Sequence, residues 1–261
     1  MKDDSARKKN VPYLADAMIE NDASALLAEY AQARRIISKP PIPIEDIVEK
    51  YLKLSLEFDD THRLFDVPRP IDGPDIIGAI FLEEARIVID ESLDPEDHPE
   101  KEGRYRFTLA HEGGGHWRLH RHLFAKNPAQ GALFDEPTVA SVICRSSEAK
   151  KRMEWQADFY ASCLLMPREL VFAAWDERFP GRRCHVMDRS RRDAIGLIAD
   201  AEERQDQLNI EEWETDLAME AIARPFAEMF LVSPHAMRIR LETLNLLRRE
   251  APKQQVLAGG E

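Results

Sequence analysis

The sequence predicts an α+β fold in which helices pack on a small mixed β-sheet, with helical extensions at both ends. Two observations carry that prediction. Long stretches place apolar residues at helical spacing, and three short runs between residues 52 and 90 (LKLSLEF at 52–58, IIGAIF at 76–81, ARIVID at 85–90) have the length and content of strands. Composition agrees: 44% of the 261 residues are hydrophobic and 32% charged, enough apolar surface for one large domain or a domain with a smaller partner.

The elements follow in order. Residues 1–38 form an N-terminal helical extension, because Leu14, Met18, Ala25, Leu26, Tyr30, Ile36 and Ile37 recur with helical spacing. KPPIPI at 39–44 is a stiff, extended joint, since each proline disfavours helix in the residue before it. It opens a main domain spanning 39–180. There a short helix (44–51) precedes the 52–58 strand, and 76–81 with 85–90 form a β-hairpin across Glu83–Glu84. A helix is expected from about 99 to 123, and turns with a strand near 138–143 follow. A second helix runs from caps at Ser146–Ser147 to Met166, where Pro167 ends it or starts another. Residues 180–193 read as a loop, and 181–261 as a C-terminal helical region. Within 222–247 a helix-turn-helix look arises from a turn at Leu231–Val232, an N-cap at Ser233 and Pro234 at the first helical position.

Charge narrows the function classes. Forty-eight acidic against 36 basic side chains give −12, a poor match for phosphate backbones unless a local basic face exists. No apolar run of about 18 residues is present, so no membrane span is expected. The charged N-terminus lacks a signal core, and three cysteines (Cys144, Cys163, Cys184) are too few for a disulfide framework or a thiolate zinc site. A cytoplasmic location is expected.

The chemistry concentrates in FTLAHEGGGHWRLH, residues 107–120. His111, Glu112 and His116 resemble the zincin metalloprotease motif H-E-x-x-H. In that motif two imidazoles on one helix face bind Zn²⁺, a third protein ligand and a water complete a tetrahedron, and the Glu takes the water's proton. Three residues stand here where the motif has two. In a regular helix, i to i+4 sets two side chains about 40° apart and i to i+5 about 140° apart. A bulge with i→i+5 hydrogen bonding at Gly113–Gly115 would restore the facing. His116 and His120 are themselves i, i+4, but Trp117 stands where the motif needs Glu, so His120 reads as a packing or supporting residue.

A second segment, EWQADFYASCLLMP at 154–167, sets Glu154 and Asp158 on one helix face, opposite the apolar stripe Ala157, Tyr160, Ala161 and Leu164. In the gluzincin arrangement a Glu on a second helix is the third ligand, and an acid four residues on accepts the free N–H of a ligand His. Glu154 and Asp158 suit those roles.

KPPIPIEDIVEKYL, GAIF, ARIVID, RFTLAHEGGGHWRLH and EWQADFYASCLLMP, in that order, resemble the ImmA/IrrE family of metallo-endopeptidases over roughly residues 35–175. The resemblance implies a zincin-like metallopeptidase domain at 39–180, with His111, His116 and Glu154 on zinc, Glu112 as catalytic base and Asp158 supporting a ligand. It implies regulatory cleavage of a protein substrate, a helix-turn-helix repressor. Tyr105, Arg106 and His120 are the candidates for substrate or transition-state contact, and the strand near Gly78–Phe81 for holding substrate as an added strand. The alternative is a catalytically inactive zincin-fold regulator that binds DNA or protein through its helical C-terminus. DNA binding is not favoured, because His235, Ala236 and Met237 include no base-reading Arg, Asn or Gln pair. The arginines at 182, 183, 189, 191 and 192 read as a solvated loop or a dock for an acidic partner.

Overall fold

The computed structural model describes residues 11–69, 76–124, 148–181, 184–187 and 207–250. The expected strand near 138–143, the caps at Ser146–Ser147, Cys144 and the arginines from 182 to 192 lie outside the described residues. The chain divides into two compact units, one of residues 1–170 with 229–232, the other of 171–228 with 233–261.

The first unit is α+β. Helix α1 (Asp16–Ala33) buries Ile19, Ala23, Leu26 and Tyr30, a stripe at four, three and four residues. Each large apolar residue so buried contributes about 1.5–3 kcal/mol. A one-turn π-helix (Asp46–Tyr51) leads to β1 (Ser55–Asp59). A short helix the apolar pattern does not announce, α2 (Thr61–Phe65), is started by Asp60, whose carboxylate accepts from the amides of His62 and Arg63. The hairpin is present as β2 (Gly78–Phe81) and β3 (Arg86–Asp90), with Ala79 opposite Val88 and Ile80 opposite Ile87. β1 joins the other side of β3 in parallel, so the sheet is small and mixed, ordered β1-β3-β2, and β2 is an edge.

The helix expected at 99–123 is four pieces. A 3₁₀ turn (Pro99–Lys101) leads into α3 (Glu102–Ala110), a ten-residue π-helical segment (His111–His120) and α4 (Arg121–Phe124). Helix α5 (Glu148–Leu165) packs along the π segment, and α6 (Arg168–Arg178) follows directly after Pro167.

The glycines account for the close fit. A Cβ on Gly115 would stand 2.5 Å from the Cβ and 2.6 Å from the Cα of Ala157 on α5. One on Gly114 would stand 2.8 Å from the Tyr160 ring. Arg118, at the far end of the π segment, ties α1 to the same helix. Its guanidinium donates to both carboxylate oxygens of Glu29 at 2.7 Å and to Asp22 at 3.0 Å, and the Tyr160 hydroxyl also donates to Asp22.

In the second unit, Trp175 stacks on Phe226, with ring centroids 5.4 Å apart. Helices α7 (Gln207–Phe230) and α8 (Pro234–Thr243) match the expected pattern, and the Ser233 hydroxyl accepts from the amide of Ala236 at 3.1 Å. Two short strands depart from the helix-and-loop expectation for this region. β4 (His185–Met187) lies where a loop was expected and pairs in parallel with β5 (Leu247–Arg249), where helix was expected. Three-residue strands are too short to show a period of two, and a partner some sixty residues away leaves no local mark.

Helix propensity alone makes Gly115→Ala stabilising by about 1 kcal/mol. Contact with the Ala157 backbone reverses the sign, and urea denaturation should find this variant about 1–3 kcal/mol less stable than the parent. A gain in stability would show that α5 does not press on the π segment.

Candidate metal centre

With i→i+5 hydrogen bonds the π segment winds about 4.4 residues per turn, which leaves residues five apart about 50° apart. His116 therefore returns to the face of His111, and the expected bulge is present across the whole of His111–His120 rather than at the glycines alone. The two Nε2 atoms are 2.9 Å apart. From α5, Glu154 brings Oε2 to 3.2 Å from His111 Nε2 and 3.6 Å from His116 Nε2. Among the described residues this is the one group of His, Cys, Asp and Glu side chains that could hold a metal ion.

The three atoms fit a metal ion. A tetrahedral ion with bonds of about 2.0–2.1 Å has ligand atoms about 3.3 Å apart, close to the separations seen. The other Glu154 oxygen, Oε1, is buried without a hydrogen-bond partner. Asp158 Oδ1 lies 2.8 Å from His111 Nδ1. A carboxylate accepts, so Nδ1 carries the proton, and the Nε2 of a neutral His111 presents its lone pair to the other two groups.

Electrostatics describe the same cluster without metal. Burial opposes a charge on His111, but the carboxylates of Asp158 and Glu154 outweigh it and hold the imidazolium up to about pH 10. Burial also works against ionised Glu154, yet hydrogen bonds from His111 and His116 keep its carboxyl well below the usual range. Glu112 is different. It makes no hydrogen bond through its buried Oε2, and burial raises its carboxyl above the ordinary value despite the two imidazoles.

His111, Glu112, His116, Glu154 and Asp158 line one cleft, with Ile76, Ile77 and Gly78 of the β2 approach on its other side. Gly78, in the strand expected to hold substrate, lines the cleft and comes close to Glu112. A Cβ there would lie 2.6 Å from Thr108 Cγ2 and 3.3 Å from Glu112 Oε1, so only glycine lets the strand pass this close. Glycine inside a strand was the available signal.

The remaining candidates stand elsewhere. Tyr105 is buried and donates to Glu45 at 3.0 Å, and Arg106 is buried and donates to the carbonyl of Ile42 at 2.6 Å. Neither lines the cleft. His120 is buried behind His116, with their Nδ1 atoms 3.1 Å apart, and burial lowers its pKa to about 4.

No protein-family model and no curated protein matches the chain. The geometry of the cleft is thus the main guide to its chemistry.

Two measurements follow. Glu154→Ala leaves two imidazoles and should lose most of the metal bound by the parent, read by elemental analysis after dialysis. The pH dependence has a definite sign. A ligand imidazole binds metal only after losing its proton, and His111 keeps that proton up to about pH 10. Metal affinity should therefore rise about tenfold per pH unit through neutrality, measured by competition with a chromophoric chelator. A profile flat through neutrality would show that His111 is not held protonated there by Asp158 and Glu154.

Proposed function

We propose that the chain is a zinc-dependent endopeptidase of regulatory character, whose substrate is a protein and, by its resemblance to the ImmA/IrrE family, a helix-turn-helix repressor. The observation that carries this reading is the placement of Glu112. Its carboxylate is buried, free of hydrogen bonds at Oε2, and lines the same cleft as the three convergent ligand atoms without being one of them. A structural carboxylate would be expected to have partners for its oxygens.

Two nitrogens and a carboxylate oxygen at tetrahedral spacing suit zinc. When bound, zinc would supply Lewis acidity and lower the pKa of a water. His111, His116 and Glu154 would hold it, with Asp158 fixing the ring of His111. Glu112 would accept the water's proton at its carboxylate oxygen and deliver it to the nitrogen of the departing amine. Burial raises its pKa toward the range in which a carboxylate both takes and returns a proton near neutrality. The edge of β2 would align an extended peptide by main-chain hydrogen bonds, and Gly78 permits that strand to lie against Glu112. An edge that takes an extended segment would suit a protein substrate rather than a small amide.

The C-terminal helices do not favour the DNA-binding alternative. Arg238 on α8 is buried and engaged by Asp216, Glu220 and Glu242, so it does not face a phosphate backbone.

Glu112→Gln preserves shape but cannot accept a proton near neutral pH. It should bind zinc within a few-fold of the parent and lose cleavage of purified helix-turn-helix repressors by about 10²–10⁴-fold, followed by gel electrophoresis and mass spectrometry. Loss of zinc would place Glu112 among the ligands, and undiminished cleavage would remove it from the chemistry.

A further inference from the structure

We propose that His120 and Gln156 are positioning residues of the metal centre, the middle of a hydrogen-bond chain that starts at the main-chain carbonyl of Pro12 and sets the tautomer of His116. The proposal rests on His116 being a metal ligand. It goes beyond the ligand set by assigning a role to three groups that touch neither metal nor substrate.

The direction of every bond follows from the first. The Pro12 carbonyl only accepts, and Gln156 Nε2 lies 2.9 Å from it, so the amide nitrogen faces Pro12 and Oε1 faces the other way. Gln156 Oε1 lies 3.0 Å from His120 Nε2, and an amide oxygen also only accepts, so His120 carries its proton on Nε2. Neutral His120 then has a bare Nδ1, 3.1 Å from His116 Nδ1. It accepts there, so His116 is protonated on Nδ1 and its Nε2 lone pair points at the position shared with His111 and Glu154.

The reverse order is unfavourable at both ends. Rotating the Gln156 amide would set two carbonyl oxygens against each other at Pro12. A proton on His120 Nδ1 would require His116 to accept at Nδ1 and place its own proton on Nε2, where it would block the metal. His116, His120 and Gln156 are each only 1% exposed, so water does not readily replace a lost link. The two ligand imidazoles are thus oriented differently, His111 by the half-exposed carboxylate of Asp158 and His116 by a buried neutral chain. Arg152 donates to the Val11 carbonyl at 3.0 Å, which holds the segment carrying Pro12 against α5.

The test uses the full chain and Zn²⁺ alone. Imidazole ¹⁵N–¹H spectra of the zinc-loaded parent should show His116 protonated on Nδ1 and His120 protonated on Nε2 with a bare Nδ1. His120→Leu keeps volume but removes the acceptor, and should weaken zinc binding about ten- to a hundredfold in chelator competition. His120→Asn restores an acceptor near the former Nδ1 and should recover most of that loss, which a purely space-filling role would not produce. Gln156→Met should weaken zinc binding in the same direction and provides a second reading should His120→Leu fail to fold. A proton on His120 Nδ1, or zinc affinity indifferent to both His120→Leu and Gln156→Met, would overturn the chain of bonds alone. A folded parent that binds no zinc would overturn the ligand assignment itself.

Discussion

The closeness of α5 to the His111–His120 segment is the constraint on which the site depends. Against the Ala157 backbone there is no room for a β-carbon at residue 115, and little at 114 beside Tyr160. Glycine in a helix ordinarily costs stability because the unfolded chain gains freedom. Here that cost is offset by helix-on-helix packing that a larger residue would prevent. The same approach brings Glu154 to the two imidazoles, so the glycines that lengthen the motif also make the contact that completes it.

Once the helices are at that distance, the polar groups sort themselves by what each can donate. His111 and His116 turn their outer nitrogens to Asp158 and His120 and their inner nitrogens to each other and to Glu154. Glu112 receives no comparable partner at Oε2. Two carboxylates in one cleft are thereby pushed in opposite directions, Glu154 down by its imidazole partners and Glu112 up by burial. Separation of that kind is what a site needs when one acid is to bind and another to move protons.

The N-terminal helix is part of this arrangement and not an appendage to it. Arg118 links α1 to the π segment through Glu29 and Asp22, while Tyr160 bonds Asp22 and packs on Gly114. A bidentate, partly buried arginine pair is among the stronger ion pairs a protein surface offers. The acidic face of α1, with its net negative charge, thus has a local basic counterpart on the helix that carries the ligands. No described helix is long and apolar enough to cross a membrane.

The sequence by itself determined the types and local spacing of the groups involved. His111 and Glu112 are adjacent, Glu154 and Asp158 share a helix face, and the apolar runs at 76–81 and 85–90 pair as a hairpin, because these relations span at most one turn or one hairpin. It left undecided whether His116 would face His111, since five residues fit either a regular helix that separates them or a wider one that joins them. Tertiary structure has the wider helix, with α5 seated against its glycines. The pairing of β4 with β5, the clamp at Arg118 and the bonds from Pro12 to His116 were likewise decided by contacts between residues distant in the chain. Periodicity records which face of a segment is apolar, but not what lies against it.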